Sequence, residues 1–268
     1  MIHQTTMIRK NYIFAALCLL AGGLASCSNN DDEQPANNTW TLNVKATKSD
    51  TPATRALSYD GKNITATWKT GETVDVRANL ELISRGTLKA QSDGATAVLK
   101  GTIGIPDGIS GYAEEDVLSL WFPRYGGDAI SYTGQKGTLD DIAENFDFAH
   151  AYVTVTSVDA SNQVLTTTDA NFTNVQAIVK FTLLDKANGN LLSVTASELH
   201  VYDEESKEIA NATSSSNEVW MAIPEVSDAT INLTATDGVK TYSYSKTPVT
   251  FEAGHYYPIN VKMIMTTP

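Results

Sequence analysis

From residue 39 onward the chain alternates. Trp40, Leu42, Val44 and Ala46 are separated by Thr41, Asn43 and Lys45, and Ile64, Ala66 and Trp68 by Thr65 and Thr67. Side chains on a strand point to opposite faces in turn, so each such stretch buries one face and wets the other. The turn Lys69-Thr70-Gly71-Glu72 leads into Val74 and Val76; Leu118, Leu120 and Phe122 follow, stopped by Pro123, and then Val153 and Val155. A second series opens with Val175, Ala177, Val179, Phe181 and Leu183. It continues over 191–194, 199–202, 219–223, 231–235, 241–245, 249–251 and 257–265, with turns at Asn188-Gly189-Asn190 and Asp237-Gly238. Short strands at this spacing predict an all-β chain of two antiparallel β-sandwich domains in tandem. The polar run Thr166-Thr167-Thr168-Asp169 places their boundary, giving an N-terminal domain over 39–168 and a C-terminal one over 169–268. One stretch reads otherwise. Thr138 precedes Leu139-Asp140-Asp141-Ile142-Ala143-Glu144-Asn145-Phe146, a weak capping box that predicts a turn or two of helix in a crossover.

The first 38 residues have a different character. Arg9 and Lys10 precede the apolar run 12–24, which is short for a bilayer span and broken by Gly22 and Gly23. It ends in Leu24-Ala25-Ser26-Cys27, the pattern of a lipobox. Residues 1–26 are therefore expected to be a lipoprotein signal peptide, with Met7 an alternative start, and Cys27 the lipidated residue. Residues 27–38 are expected to form an acidic tether; Ser28 to Glu33 also resemble an export signal of surface lipoproteins, and both readings stay open. Cys18 would leave with the signal and Cys27 would carry lipid, so no thiol remains for a disulfide, metal or nucleophile. The net charge of −12 offers no electrostatic footprint for nucleic acid.

Chemistry-bearing residues are scattered. His150, His200 and His255 stand far apart and in no ligand spacing. Asp203-Glu204-Glu205 could hold calcium or act as glycosidase acids, but three adjacent acids between strands read more readily as a solvated turn. No nucleophile elbow or phosphate loop is present. The expectation is no catalytic residue, no metal and no cofactor. Trp40, Trp68, Trp121 and Trp220 each lie in an alternating stretch and read mostly as core. Tyr125 and Tyr132, in a Gly-rich stretch, read as freer and as candidates for contact with a ligand such as a glycan.

Four segments together resemble the fimbrillin family, the pilins and pilin-like lipoproteins of Bacteroidales. They are the lipobox; Thr54-Arg55-Ala56-Leu57 followed by the run from Ile64 to Val76; the series Phe172, Val175, Ala177, Val179 and Phe181; and the ending from Phe251 to Lys262. Residues 80–168 match only in β character. The resemblance implies transthyretin-like sandwiches. It also implies removal of the N-terminal segment by an arginine-specific protease, with the cut between Arg55 and Ala56, and then polymerisation by donor-strand exchange. The implied partners are other pilin subunits, that protease, and the outer membrane through the lipid anchor. The alternative is a surface lipoprotein that stays monomeric and binds a glycan or host ligand.

The residues carry a mechanism of their own. Leu42-Asn43-Val44-Lys45-Ala46 and Ile259-Asn260-Val261-Lys262-Met263 share the form apolar-Asn-Val-Lys-apolar. A groove that holds Trp40, Leu42, Val44 and Ala46 could accept a second strand of this kind from a neighbour, with Tyr257, Ile259, Val261, Met263 and Met265 as the donor face.

Overall fold

The computed structural model describes residues 39–48, 57–62, 64–78, 83–123 and 130–267. In chain order these form β1 (Thr39–Lys48), β2 (Ser58–Tyr59), β3 (Ile64–Thr65), β4 (Thr73–Ala78), β5 (Ser84–Ala90), β6 (Thr96–Gly104), β7 (Val117–Phe122), β8 (Tyr132–Gln135), α1 (Leu139–Asn145), β9 (Ala149–Asp159) and β10 (Val164–Thr167). They continue with β11 (Ala170–Asn174), β12 (Gln176–Asp185), β13 (Ala196–Tyr202), β14 (Glu208–Ser214), β15 (Glu218–Pro224), β16 (Val226–Thr236), β17 (Thr241–Phe251) and β18 (Tyr256–Thr267). The chain is all-β, as its alternation predicts, with two large sheets, each over its own apolar core.

The first sheet closes on itself. Going round, β1 pairs with β6, β6 with β5, β5 with β4, β4 with β7, β7 with β9, and β9 with β10 and β11, both of which return to β1. The second runs β15-β12-β18-β17-β16-β13-β14-β8 and folds over a core that includes Phe181, Leu199, Met221, Ile231 and Met263. Most pairs are antiparallel; β1 is parallel to β10 and β11, β18 to β12, and β8 to β14.

Sheet membership crosses the 168/169 division in both directions. β11 lies beyond it but pairs with β1 and β9, and Phe172 packs in the first core. β8 and α1 lie before it, yet Tyr132 and Ile142 are buried in the second core, as is Ile64. The sequence offered no alternation at β8, whose residues are Tyr-Thr-Gly-Gln.

Local signals fared unevenly. Thr138 caps α1, its hydroxyl accepting the Asp141 N–H, while the Asp141 carboxylate accepts from Lys136 N–H rather than reaching back to the cap. Gly71 and Gly238 take positive φ in the turns expected there. The expected strand over 191–194 reduces to one bridge, Leu184 with Leu191, and the run from Ile64 to Trp68 is a strand only at Ile64–Thr65. At that point the backbone leaves a ladder: Trp68 instead exchanges hydrogen bonds with Gly94, which brings its ring fully into the first core.

Candidate functional site: the strand that closes the first barrel

β1 is an interior stave with neighbours on both sides. Against β6 it holds an unbroken antiparallel register from Thr39 opposite Gly104 to Thr47 opposite Thr96. On its other side Thr41–Asn43 run parallel to β10, and Ala46–Lys48 parallel to β11. Its inward residues are the expected four: Trp40, Leu42, Val44 and Ala46 are all buried. Burying three large apolar side chains of this kind contributes roughly 4–9 kcal/mol. Trp40 meets Tyr112 edge to face, and Ala46 stands in a row of buried alanines, between Ala97 of β6 and Ala170 of β11.

A fifth inward residue escaped the sequence reading. Lys48, in phase with the other four, is buried, with its side chain 2 % exposed. Its Nζ donates to Glu72 Oε2 at 2.9 Å and to the Thr67 carbonyl at 3.1 Å. It lies 4.2 Å from the Trp68 ring centroid and 4.5 Å from that of Phe122. The Glu72 side chain is 7 % exposed, and the same Oε2 also accepts the Lys69 N–H. A charge so enclosed is tolerated only when paired and hydrogen-bonded, and here it is both. The signal was available in the phase: a lysine two residues after Ala46 continues the inward set.

The segment that follows β1 begins and ends on different bodies. Upstream is β1 in the first core. Downstream, Leu57 and Tyr59 pack against the second core, which Ile64 enters fully. The Tyr59 ring meets Trp220 at 5.1 Å and Tyr256 at 5.8 Å, and Lys180 Nζ sits 5.1 Å from Tyr59 while bound to Glu218 at 2.7 Å. Burial, then the neighbouring Tyr59, pushes the Tyr256 hydroxyl far above the usual phenol range. Arg55 and Ala56 fall within 49–56, outside the described residues, as does Cys27.

The expected donor face is built into the second domain. Val261 and Met263 are fully buried there, Tyr257 and Ile259 are partly buried, and Met265 is exposed. β18 pairs with β12 from Tyr256 to Met263, and Ile264 to Thr267 lie against β17. To act in a neighbour it would have to leave both.

The second sheet has a seal of its own. β8 pairs with β14 over a short stretch, and the Gln135 side chain then takes the place of another strand residue. Its Nε2 donates to the Ala222 carbonyl of β15 at 2.8 Å, and its Oε1 accepts the Ala222 N–H at 2.7 Å. The Gly137 carbonyl accepts from Trp220 N–H at 3.0 Å nearby.

The other candidates separate. Tyr132 is buried against Phe148, and burial together with nearby Asp147 raises its hydroxyl well above the usual range, so it is core rather than a ligand contact. Tyr125 lies outside the described residues. Trp40, Trp68 and Trp220 are core, whereas Trp121 lies on the outer face, stacked on His150 at 5.1 Å. Asp203 accepts the Glu205 and Lys207 N–H groups, making the turn that the sequence suggested. With Glu225 and Glu252, the three acids line an open cleft of about 640 Å³. His200 bonds Glu208, and His255 sits 3.6 Å from Glu252, while His150 stands on β9 of the first sheet. Among the described residues no group of three or more His, Cys, Asp or Glu is placed to hold a metal, and no helix is long and apolar enough to cross a membrane.

No family model matches this chain, and no curated protein does. Solved structures are similar to it. Two, each called a "putative cell adhesion protein", come from Bacteroides ovatus (15 % identity, 85 % of this chain and 95 % of that one, TM-score 0.48) and Bacteroides uniformis (11 %, 88 % and 99 %, TM-score 0.47). A fimbrial assembly protein from Parabacteroides distasonis matches at 14 % identity, over 83 % of this chain and 90 % of that one, with a TM-score of 0.45.

Proposed function

We propose that this chain is a subunit of a cell-surface fimbria, exported as a lipoprotein through Cys27, in which β1 is a provisional strand. One observation carries the reading. β1 is an interior strand of a closed barrel and the first of the described elements, and its covalent link to the other described strands runs through 49–56, where Arg55 stands. An uncut strand bonded on both edges does not leave readily. Once cut it is a short peptide held by non-covalent contacts alone, and its departure turns a closed barrel into a sheet with two bare edges and an apolar trough. Bare edges pair with other chains, and a trough with alternate pockets takes an extended strand. A neighbouring subunit supplies that strand, and the chain grows by repetition. The docking of Leu57, Tyr59 and Ile64 on the second core supports this, because the new N-terminus would stay with the body and keep clear of the opened seat. The lipid at Cys27 holds the uncut subunit at the surface; the cut removes that lipid with β1, and adhesion then belongs to the polymer.

The test is to make tagged wild type and tagged Arg55→Ala in the producing cells, with the other surface subunits present, and to follow the size of the tagged protein after treatment with an arginine-specific protease. Wild type is expected to form detergent-resistant ladders with Ala56 as the new N-terminus, and Arg55→Ala to stay monomeric. A cut wild type that remains monomeric, or ladders from Arg55→Ala, would sink the reading and leave a monomeric surface binder as the better one.

A further inference from the structure

We infer that the Glu72 pocket selects which strand can occupy the seat of β1, and that it selects against this chain's own C-terminal strand. The inference rests on the release of β1 proposed above and goes further, to the kind of partner. The seat reads five inward positions: a large aromatic at Trp40, aliphatics at Leu42 and Val44, a small residue at Ala46 and a cation at Lys48. The last two are the discriminating ones. At the fourth, Ala46 lies between the buried alanines Ala97 and Ala170, and a long side chain there overpacks a closed core. At the fifth, the departure of Lys48 empties the place over the Trp68 and Phe122 rings and leaves the Glu72 carboxylate without the ammonium it accepts from. A buried carboxylate that loses its enclosed counter-charge is costly, whereas a replacement strand with Lys or Arg at this position restores the pair.

β18 fails on both counts. With Ile259 set in the place of Leu42 and the chain direction kept, Tyr257 and Val261 fit their positions. Met263 then falls at the alanine position and Met265 faces Glu72. Sliding the strand to bring Lys262 to Glu72 puts Asn260 in the alanine position. It also puts Pro258, which has no N–H, into the middle of a strand paired on both sides. The fitting occupant is therefore a strand from a different polypeptide, of the pattern aromatic-x-aliphatic-x-aliphatic-x-small-x-Lys/Arg. Copies of this chain alone do not propagate well, and it takes its place at a junction between unlike subunits.

The experiment uses the full chain cut at Arg55 and four labelled peptides added in trans. These are residues 39–48; the same with Lys48→Met; residues 256–267 with Pro258→Thr, which restores the N–H that Thr41 donates to the Gln163 carbonyl; and that third peptide with Met263→Ala and Met265→Lys. The first and fourth are expected to replace β1. The second and third should bind more weakly by roughly a hundredfold or more, the scale of an unpaired buried charge. Equal binding of the first and second, or of the first and third, overturns the inference. Failure of the 39–48 peptide itself counts against release. The pocket is then judged in the uncut chain. There Ala46→Met with Lys48→Met should lower the melting temperature of the first barrel by more than ten degrees, and adding Glu72→Met should recover part of that loss. An unchanged melting temperature in the double variant overturns the pocket's selectivity whether or not β1 is ever released.

Discussion

The two domains are sealed by different means. The first barrel is closed by β1, a ten-residue strand with a main-chain ladder on both edges and four apolar side chains and one lysine inside. The second is closed by β8, four residues long, whose reach to β15 depends on a side chain: the Gln135 amide exchanging two hydrogen bonds with Ala222. By length of pairing β1 is the stronger seal. By connectivity it is the more removable one, because β8 is held in the chain at both ends, followed by α1, which packs on β15, whereas among the described residues β1 is joined to the other strands at one end only. Strength and permanence are thus separated. On the reading proposed above, a seal that is strong while attached and dispensable once cut would keep the subunit closed until it is cut.

The largest expected effect tests whether the first barrel depends on β1. A chain beginning at Ala56 lacks burial worth roughly 4–9 kcal/mol, comparable to the stability of a whole domain. Calorimetry should show the transition of the first barrel abolished and that of the second retained. Two retained transitions would break the contrast, since β1 would then be an ornament. Gln135→Ala comes next and acts on the other seal. It leaves the Ala222 N–H and carbonyl unpaired, a loss on the order of 2–4 kcal/mol. The second domain's transition should fall by several degrees with the first unmoved. Gln135→Glu sharpens the point, because an ionised carboxylate accepts the N–H but cannot donate to the carbonyl, and its deficit should ease as the pH is lowered.

The smallest effect is a pH dependence confined to the first barrel. Burial beside Trp121 holds His150 below the ordinary imidazole value of 6.5. The unfolded chain therefore takes up a proton that the folded chain resists, and stability present above that value is lost as the pH falls through it. His150→Phe should flatten the melting temperature of the first barrel between pH 7 and 5. A slope unchanged by this substitution would place its origin elsewhere.

The contrast also marks what could be read from the sequence. β1 was legible because Trp40, Leu42, Val44 and Ala46 alternate without interruption. β8 was not, because Tyr132-Thr133-Gly134-Gln135 has no apolar period, and its place in the second sheet depends on contacts with β14 and β15, far along the chain. The same Gly-rich surroundings made Tyr132 look free, although Phe148 and the second core enclose it. Lys48 was passed over because a lysine at a strand end normally extends to water; only the placement of Trp68 and Glu72 on either side of the turn at 69–72, with Phe122 at the end of β7, makes the inward orientation tolerable. The split of β11 from the second domain was equally hidden, since Phe172 and Ala177 read as one run and yet serve two sheets, on either side of the bend at Val175.

The most direct test of the account is amide hydrogen exchange on the same protein before and after the cut at Arg55, read at both seals. Before the cut, the N–H groups of Leu42 to Ala46 and of their partners in β6 should exchange slowly, as should that of Ala222 opposite Gln135. After the cut, protection along β1 and β6 should fall by roughly a hundredfold or more, the mark of a strand that opens as a separate peptide, while Ala222 stays as it was. Unchanged protection along β1, or an equal loss at Ala222, would contradict the claim that only the first barrel carries a removable seal.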